Sequence, residues 1–319
     1  MGVKHLMKVL QELYPESFCE RSIETLAGMR LAVDASLIFY QIQTAIKGKI
    51  EGIRNKENKD VTHLVGMLNK LAFFQRHGVL PVFVFDGPPP EEKRRVLNQR
   101  SASRNKAQEE LKEEAVAADR QGALRQRAVR MDAMVTSDII RLLELLNIPY
   151  IMAEGEADAV CVALQERRAV DMVLSDDSDV FLYGAKRVVR KLGSKNQSYQ
   201  LVDLPSSVKA ETLVAAGVAL GCDYTPGIKG IGTKRTVEAM RQGTLLDLVL
   251  STGHKNEYEM LLGIFRPTKP LGYKVQRPPS HENERTQAEE AKAFLEDTMS
   301  LETTKIQRIL ATFFPPVWS

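Results

Sequence analysis

Cysteine is scarce: Cys19, Cys161 and Cys222 are the only three among 319 residues. The number is odd and no pair has C-x-x-C spacing, which argues against a disulfide framework and makes a reducing intracellular compartment the expectation. Also missing is any apolar run of the roughly 18 residues that a bilayer span needs, so no membrane association is expected. No secretory signal opens the chain. Met1-Gly2-Val3 begins like a myristoylation signal, but Leu6 stands where Ser or Thr is required. An excess of one charge sign is absent as well. With 44 Lys and Arg against 41 Asp and Glu the formal net charge is +3, so any nucleic-acid footprint has to be local. No internal repeat or low-complexity tract appears.

What is present fits a soluble globular chain, with 44% hydrophobic and 27% charged residues. The length allows one large α/β domain or two lobes. Short β-rich runs end in acids: Leu31-Ala-Val-Asp34, then Pro81-Val-Phe-Val-Phe-Asp86. A third, starting at Ile148, leads into Glu154-Gly-Glu156-Ala-Asp158, and a fourth runs Asp171-Met-Val-Leu-Ser-Asp-Asp177-Ser-Asp179. Helical patterns at 63–77, 131–147 and 156–168 lie between them. This alternation predicts the α/β class, with a mostly parallel twisted sheet flanked by helices. Ligands of such sheets bind beyond the carboxyl ends of the strands, where these acids fall.

Two segments break the rhythm. Residues 91–130 are rich in Arg, Lys, Glu, Gln and Ala, and read as a helical insertion with little to bury. Residues 266–290 carry several prolines and read as an extended surface stretch. The expected organisation is therefore the N-terminal part of a core at 1–90, an insertion at 91–135, and the rest of the core at 136–265. A hairpin at 221–241 lies within the last of these, and an extended segment with a final helix follows at 266–319.

Hard divalent cations need oxygen ligands, mainly carboxylates and water. Two such ions roughly 3.5–4 Å apart can activate water and stabilise the leaving oxygen of a phosphodiester. Asp34, Asp86, Glu156, Asp158, Asp177 and Asp179 are candidates for this site, with Asp223 of Gly221-Cys-Asp-Tyr224 in addition. Taken singly, an Asp after a strand is usually a turn former or helix N-cap. Acid pairs spaced by two, occurring twice after apolar strands, repel one another unless a cation compensates them.

Met-Gly-Val-x-x-Leu at the start, Val-Asp34-Ala-Ser, Val-Phe-Asp86-Gly-Pro-Pro, Glu156-Ala-Asp158-Ala, Asp177-Ser-Asp179 and Gly-Cys-Asp223-Tyr together resemble the eukaryotic and archaeal flap endonucleases. The resemblance covers nearly the whole chain, in order. It implies a PIN-like core with a helical arch insertion and a C-terminal helical hairpin that binds DNA. It also implies two Mg²⁺ ions, replaceable by Mn²⁺, held by Asp34, Asp86, Glu156, Asp158, Asp177, Asp179 and Asp223. Glu154-x-Glu156 mimics the family's acid pair as well, but the spacing from Ile148-Pro149-Tyr150 places that pair at Glu156 and Asp158. Asp as its second member resembles the related 5′-exonuclease branch.

Lys93, Arg100 and Arg104 share one helical face. A charged helix of this kind is usually just solvated, but Lys93 and Arg100 match the family's gateway residues, which act on the scissile phosphate. Tyr40 matches a base-stacking tyrosine, Gly2 a glycine near the active site, and Lys47 with Lys49 the wedge at the strand junction. Gly227-Ile-Lys-Gly230-Ile-Gly232-Thr-Lys234-Arg235 precedes a helical pattern, so its amides suit phosphates. It resembles the hairpin that grips duplex DNA, aided by K⁺, although Gly227 replaces a frequent Ser. Gln307-Arg-Ile-Leu310-Ala-Thr-Phe313-Phe314 fits two readings. One is a sliding-clamp motif anchored by adjacent aromatics. The other is the final core helix.

The expected activity is 5′ flap endonuclease and 5′–3′ exonuclease action on branched DNA (flaps, nicks, gaps), by a monomer, in the nucleus if the source is eukaryotic. A duplex-end 5′-exonuclease, and a non-catalytic junction or clamp-binding scaffold, are the rivals.

Overall fold

The computed structural model describes residues 2–88, 94–111, 118–129, 131–193, 197–266, 273–276 and 284–314. They divide into two compact units through which the chain passes alternately. The first holds Met1–Asp34, Asp86–Val96 and Ala153–Tyr273; the second holds Ala35–Phe85, Leu97–Met152 and Lys274–Ser319. The strands are β1 (Phe18–Ser22), β2 (Arg30–Asp34), β3 (Leu80–Phe85), β4 (Tyr150–Ala153), β5 (Met172–Leu174), β6 (Arg187–Arg190), β7 (Ser198–Asp203) and β8 (Tyr273–Gln276). Among the described residues no helix is long and apolar enough to cross a membrane.

In the first unit β5 runs parallel to both β2 and β6, with Val33 opposite Leu174 and Leu174 opposite Val189. Leu31, Ala32, Val33 and all of β5 are buried. Continuous apolar runs of this kind suit interior parallel strands covered on both faces. Beyond β6 the pairing turns antiparallel, through β7 to β1. Helix Ala157–Glu166 packs on β2 and β5 through buried Ala157, Val160, Cys161 and Leu164. Helix Ala210–Leu220 is apolar on every side from Leu213 onward, and all of that length is buried. It packs against helices Asp179–Tyr183, Leu245–Ser251 and Lys255–Phe265.

In the second unit β3 and β4 pair in parallel, from Phe83 opposite Tyr150 to Phe85 opposite Met152. Helix Thr62–Arg76 is buried along almost its whole length. It packs against helices Ala35–Lys47, Ala133–Leu145 and Thr303–Phe313. The Lys70 ammonium within it lies 5.2 and 5.0 Å from the Phe73 and Phe74 ring centres, which offsets part of the cost of burying it.

The predicted insertion is helical, as Arg94–Glu110 and Ala118–Arg127. The second of these sits on helix Ala35–Lys47. At the contact a Cβ on Gly122 would come within 2.5 Å of the Gly48 carbonyl oxygen, so the two backbones meet directly. Gln126 Nε2 donates to the Thr44 carbonyl at 3.0 Å, and Leu124 beside it is buried.

At the C-terminal end one expectation changes and one of two open readings is favoured. The stretch read as extended to 290 becomes helical at Glu284, where the prolines have ended and Gln, Ala, Glu and Lys favour a helix. The residues of the clamp pattern lie in and just after helix Thr303–Phe313. Gln307 is exposed and Phe313 half-buried, whereas Leu310 is 0% and Phe314 5% exposed. The anchors that a clamp would take are packed in this unit's own core, as the core-helix reading requires. Leu310→Ala should therefore cost about 2–5 kcal/mol in a denaturant melt. A surface docking residue would shift stability by less than about 0.5 kcal/mol.

Candidate functional site

The acids singled out in the sequence all belong to the first unit. Asp34 ends β2. Asp86 follows β3 and is turned toward residues 153–157 by a close backbone approach. The Gly87 amide donates to the Gly155 carbonyl at 2.7 Å, and a Cβ on Gly87 would lie 2.3 Å from the Ala153 carbonyl oxygen. Only glycine fits there. Asp86 Oδ1 then accepts the Ala157 N–H at 3.0 Å, which is a capping interaction at the start of helix Ala157–Glu166. Glu156 occupies the N-cap position without capping through its side chain, and Asp158 lies in the first turn, where a helix favours negative charge.

Residues 175–179 form a tightly bonded loop beyond β5. The Asp177 amide donates to Ser175 Oγ at 3.1 Å, and the Asp179 amide to Asp177 Oδ1 at 3.2 Å. Ser178 Oγ donates to the Val3 carbonyl at 3.3 Å. Gly2, at φ +87°, lies against this loop: a Cβ there would be 2.0 Å from Asp177 Oδ1 and 2.6 Å from Ser178 Oγ. Its neighbour Lys4 donates through its amide to the Gly221 carbonyl at 2.9 Å and through Nζ to the Pro226 carbonyl at 3.4 Å. Residues 2–4 thus touch both the acid loop and the glycine turn that carries Asp223.

Electrostatics ties the acids into one cluster. Burial, then the charges of Asp34, Asp177, Asp179 and Asp86, hold the Asp158 carboxyl well above the usual carboxylate range. Burial, then Glu156, Asp179 and Asp223, raise the Tyr224 phenol. Tyr183 is raised by burial, then by Tyr224, Glu156, Asp158 and Asp179. All three sets share Asp179, so the acids occupy a common region. Glu154 is exposed and is not among these neighbours. Asp158 Oδ1 is buried with no hydrogen-bond partner. Among the described residues no three carboxylates, thiols or imidazoles converge into a ready-made metal cage. An all-carboxylate donor set with an orphaned buried oxygen nevertheless has the chemistry that hard divalent cations take.

The remaining predicted residues fall as follows. Lys93 lies outside the described residues; Arg100 is on helix Arg94–Glu110, with its side chain outside them. In the second unit, half-buried Arg104 donates to the Tyr40 hydroxyl at 3.3 Å, and Tyr40 stands edge-on to Phe39. Lys47 is held by Asp60 at 2.8 Å, while Lys49 is exposed. In the first unit, Gly230, Gly232, Lys234 and Arg235 are all exposed at the start of helix Thr233–Gln242. Two cations in a first turn oppose the helix dipole, a conflict that a bound phosphate relieves. Gly227 has φ +94°, and a Cβ there would lie 2.8 Å from the Leu220 carbonyl oxygen, so this turn has no room for a serine side chain. Gly87, Ser178 and Arg190 were not foreseen. Gly87 alone carried a signal, as a glycine directly after a strand-end acid.

Family models described as "XPG N-terminal domain" and "XPG I-region" match residues 1–107 and 147–223. Flap endonuclease 1-A of Sorghum bicolor is 32% identical over 82% of this chain and 71% of its own length. Flap endonuclease 1 of Nematostella vectensis is 31% identical over 78% and 69%. Among solved structures, flap endonuclease-1 from Methanococcus jannaschii matches with TM-score 0.70 at 25% identity, covering 95% of this chain and 98% of that one. The catalytic core of Rad2 in complex with DNA substrate shares the fold, with TM-score 0.68 at 22% identity over 98% and 100%. The fold is thus the α/β, PIN-like nuclease architecture. The chain belongs to the flap endonuclease family.

Because Asp158 has a raised pKa in the folded state, the ion-free protein binds more protons folded than unfolded. Its stability should rise as pH falls from that raised value toward the ordinary Asp range. Asp158→Asn should flatten that rise and stabilise the ion-free protein near neutral pH by about 0.5–2 kcal/mol. Thermal melts across pH in chelator check both.

Proposed function

We propose that this protein is a structure-specific 5′ nuclease that cuts flaps at junctions of single- and double-stranded DNA, with Mg²⁺ as its cofactor. The carrying observation is the cluster of Asp34, Asp86, Glu156, Asp158, Asp177, Asp179 and Asp223 within one unit, with an unsatisfied buried oxygen on Asp158. The family is divalent-metal dependent. In this reading these acids hold two divalent ions, which supply when bound the Lewis-acid polarisation that phosphodiester hydrolysis needs. Asp86, fixed by the Ala157 amide, and Asp177, fixed within its loop, present their carboxylates without having to reorganise. Gly2 lets the backbone lie against Asp177 where any side chain would intrude.

Lys93 and Arg100 are assigned to the scissile phosphate, where their charge offsets what develops on the leaving oxygen. Gly230, Gly232, Lys234 and Arg235 take the duplex backbone, reading shape rather than sequence. Tyr40 stacks on a base beside the cut, and Lys47 belongs to the wedge. K⁺ at the hairpin would depend on backbone carbonyls, because Gly227 offers no hydroxyl. The Ile228 carbonyl already accepts the Ile231 amide at 3.0 Å, which weakens the case for that ion. Docking on a sliding clamp through Leu310 and Phe314 would require the final helix to leave its core, so branched DNA is the principal partner.

Asp177→Asn should slow single-turnover cleavage of a labelled flap by about 10³-fold, a loss of several kcal/mol of transition-state stabilisation. Cleavage that persists in that variant, or in excess chelator, would sink the mechanism. Comparing the flap with a recessed 5′ end separates flap preference from the exonuclease reading that Asp158 favours. Replacing Lys234 and Arg235 together by Ala should weaken duplex binding and flatten its salt dependence by up to about 1.8 in log–log slope, the value for two phosphates. An unchanged slope would remove the hairpin from the interface.

A further inference from the structure

We infer that Arg190 is a positioning residue for the reaction, holding the loop at 175–179 so that Asp177 and Asp179 are presented to divalent ions; this rests on the ion-binding role proposed above. Arg190 is the last residue of β6, whose parallel neighbour β5 leads directly into the acid loop. Its Nη2 donates to the Asp176 carbonyl at 2.6 Å. From the next residue the Lys191 amide donates to Asp176 Oδ1 at 2.8 Å. Asp176 is therefore gripped at both its main chain and its carboxylate by the end of β6. With Asp176 fixed, the bonds at Asp177 and Asp179 fix the rest of the loop, and Ser178 anchors its far side on Val3.

This placement opposes stability. Arg190 Nε is buried without a hydrogen-bond partner, a desolvation cost that no hydrogen bond at that atom returns. Burial depresses the guanidinium's pKa, and the charges of Asp176 and Asp177 act in the other direction. An apolar residue would close the end of β6 at lower cost, but it would release the Asp176 carbonyl and leave the acids of the loop without a fixed positive charge beside them. Arginine joins a long flat donor to a permanent charge; lysine keeps the charge and loses the fork.

Arg190→Lys therefore separates the contact from the charge. Mn²⁺ binding is measured by calorimetry without DNA, alongside flap affinity in chelator, thermal melts, and single-turnover cleavage against Mg²⁺ concentration. Expected is about a tenfold weaker Mn²⁺ affinity, the usual scale for losing a group that orients metal ligands. The Mg²⁺ requirement should rise correspondingly, the rate should recover at saturating Mg²⁺, and flap affinity in chelator should be unchanged. Should Arg190→Lys not fold, Arg190→Gln, too short to reach the Asp176 carbonyl, is expected to weaken Mn²⁺ binding several-fold. Unchanged Mn²⁺ affinity with a lower melting temperature makes Arg190 purely structural and overturns the inference. Unchanged Mn²⁺ affinity with weaker, less salt-dependent flap binding makes it a phosphate contact and also overturns it. Asp177→Asn run in parallel isolates the premise: if that variant too binds Mn²⁺ like the parent chain, the ion site itself is wrong, whatever Arg190 does.

Discussion

Carboxylates crowded into a partly buried space repel one another, and every element of the first unit near them serves to hold them against that repulsion. Asp158 shows the strain most directly, since burial and four neighbouring acids all disfavour its charged form. The fold answers with main-chain rigidity. Strand ends fix Asp34 and residues 175–179. A helix N-terminus receives Asp86 and Asp158. Glycines at 2 and 87 allow backbone to lie where a methyl group would collide. A polar cluster built at such cost is the kind of place where charge brought from outside, as cations or as the phosphates that accompany them, would relieve the repulsion.

The support behind the cluster is apolar and continuous. Buried strands β2 and β5 lie under helix Ala157–Glu166, and helix Ala210–Leu220, buried from Leu213 onward, packs on three further helices. Close packing of this kind transmits displacement rather than absorbing it. Residues 2–4 extend the support, because they bond the acid loop on one side and the turn at 221–226 on the other.

Much of this was legible in the sequence because period and punctuation agree. Apolar runs of strand length ended in acids, and helical patterns stood between them, so the α/β class and the position of these acids at strand ends followed. Illegible features were of two kinds. Some depended on tertiary burial: residues 307–314 carry a docking pattern, and only packing showed that Leu310 and Phe314 face inward. Others were contacts between distant segments with no local signature, such as Arg190 with Asp176, or Gly87 with Ala153. The helix starting at Glu284 follows closely on a proline-rich stretch, so composition over a window that spans both hides where helix-favouring residues begin.

The seat of the inserted helix Ala118–Arg127 has a separate implication. It rests on the Gly122–Gly48 approach, one hydrogen bond from the Gln126 amide to the Thr44 carbonyl and the buried Leu124, while the charged Arg120 pairs with Glu110 instead. Anchorage and surface chemistry are therefore written in different positions. Charge on the outward side can be rewritten through many substitutions without unseating the helix, whereas one added methyl at Gly122 would run into the Gly48 carbonyl and lift it. Divergence among proteins built this way can proceed freely in one register while the other stays silent.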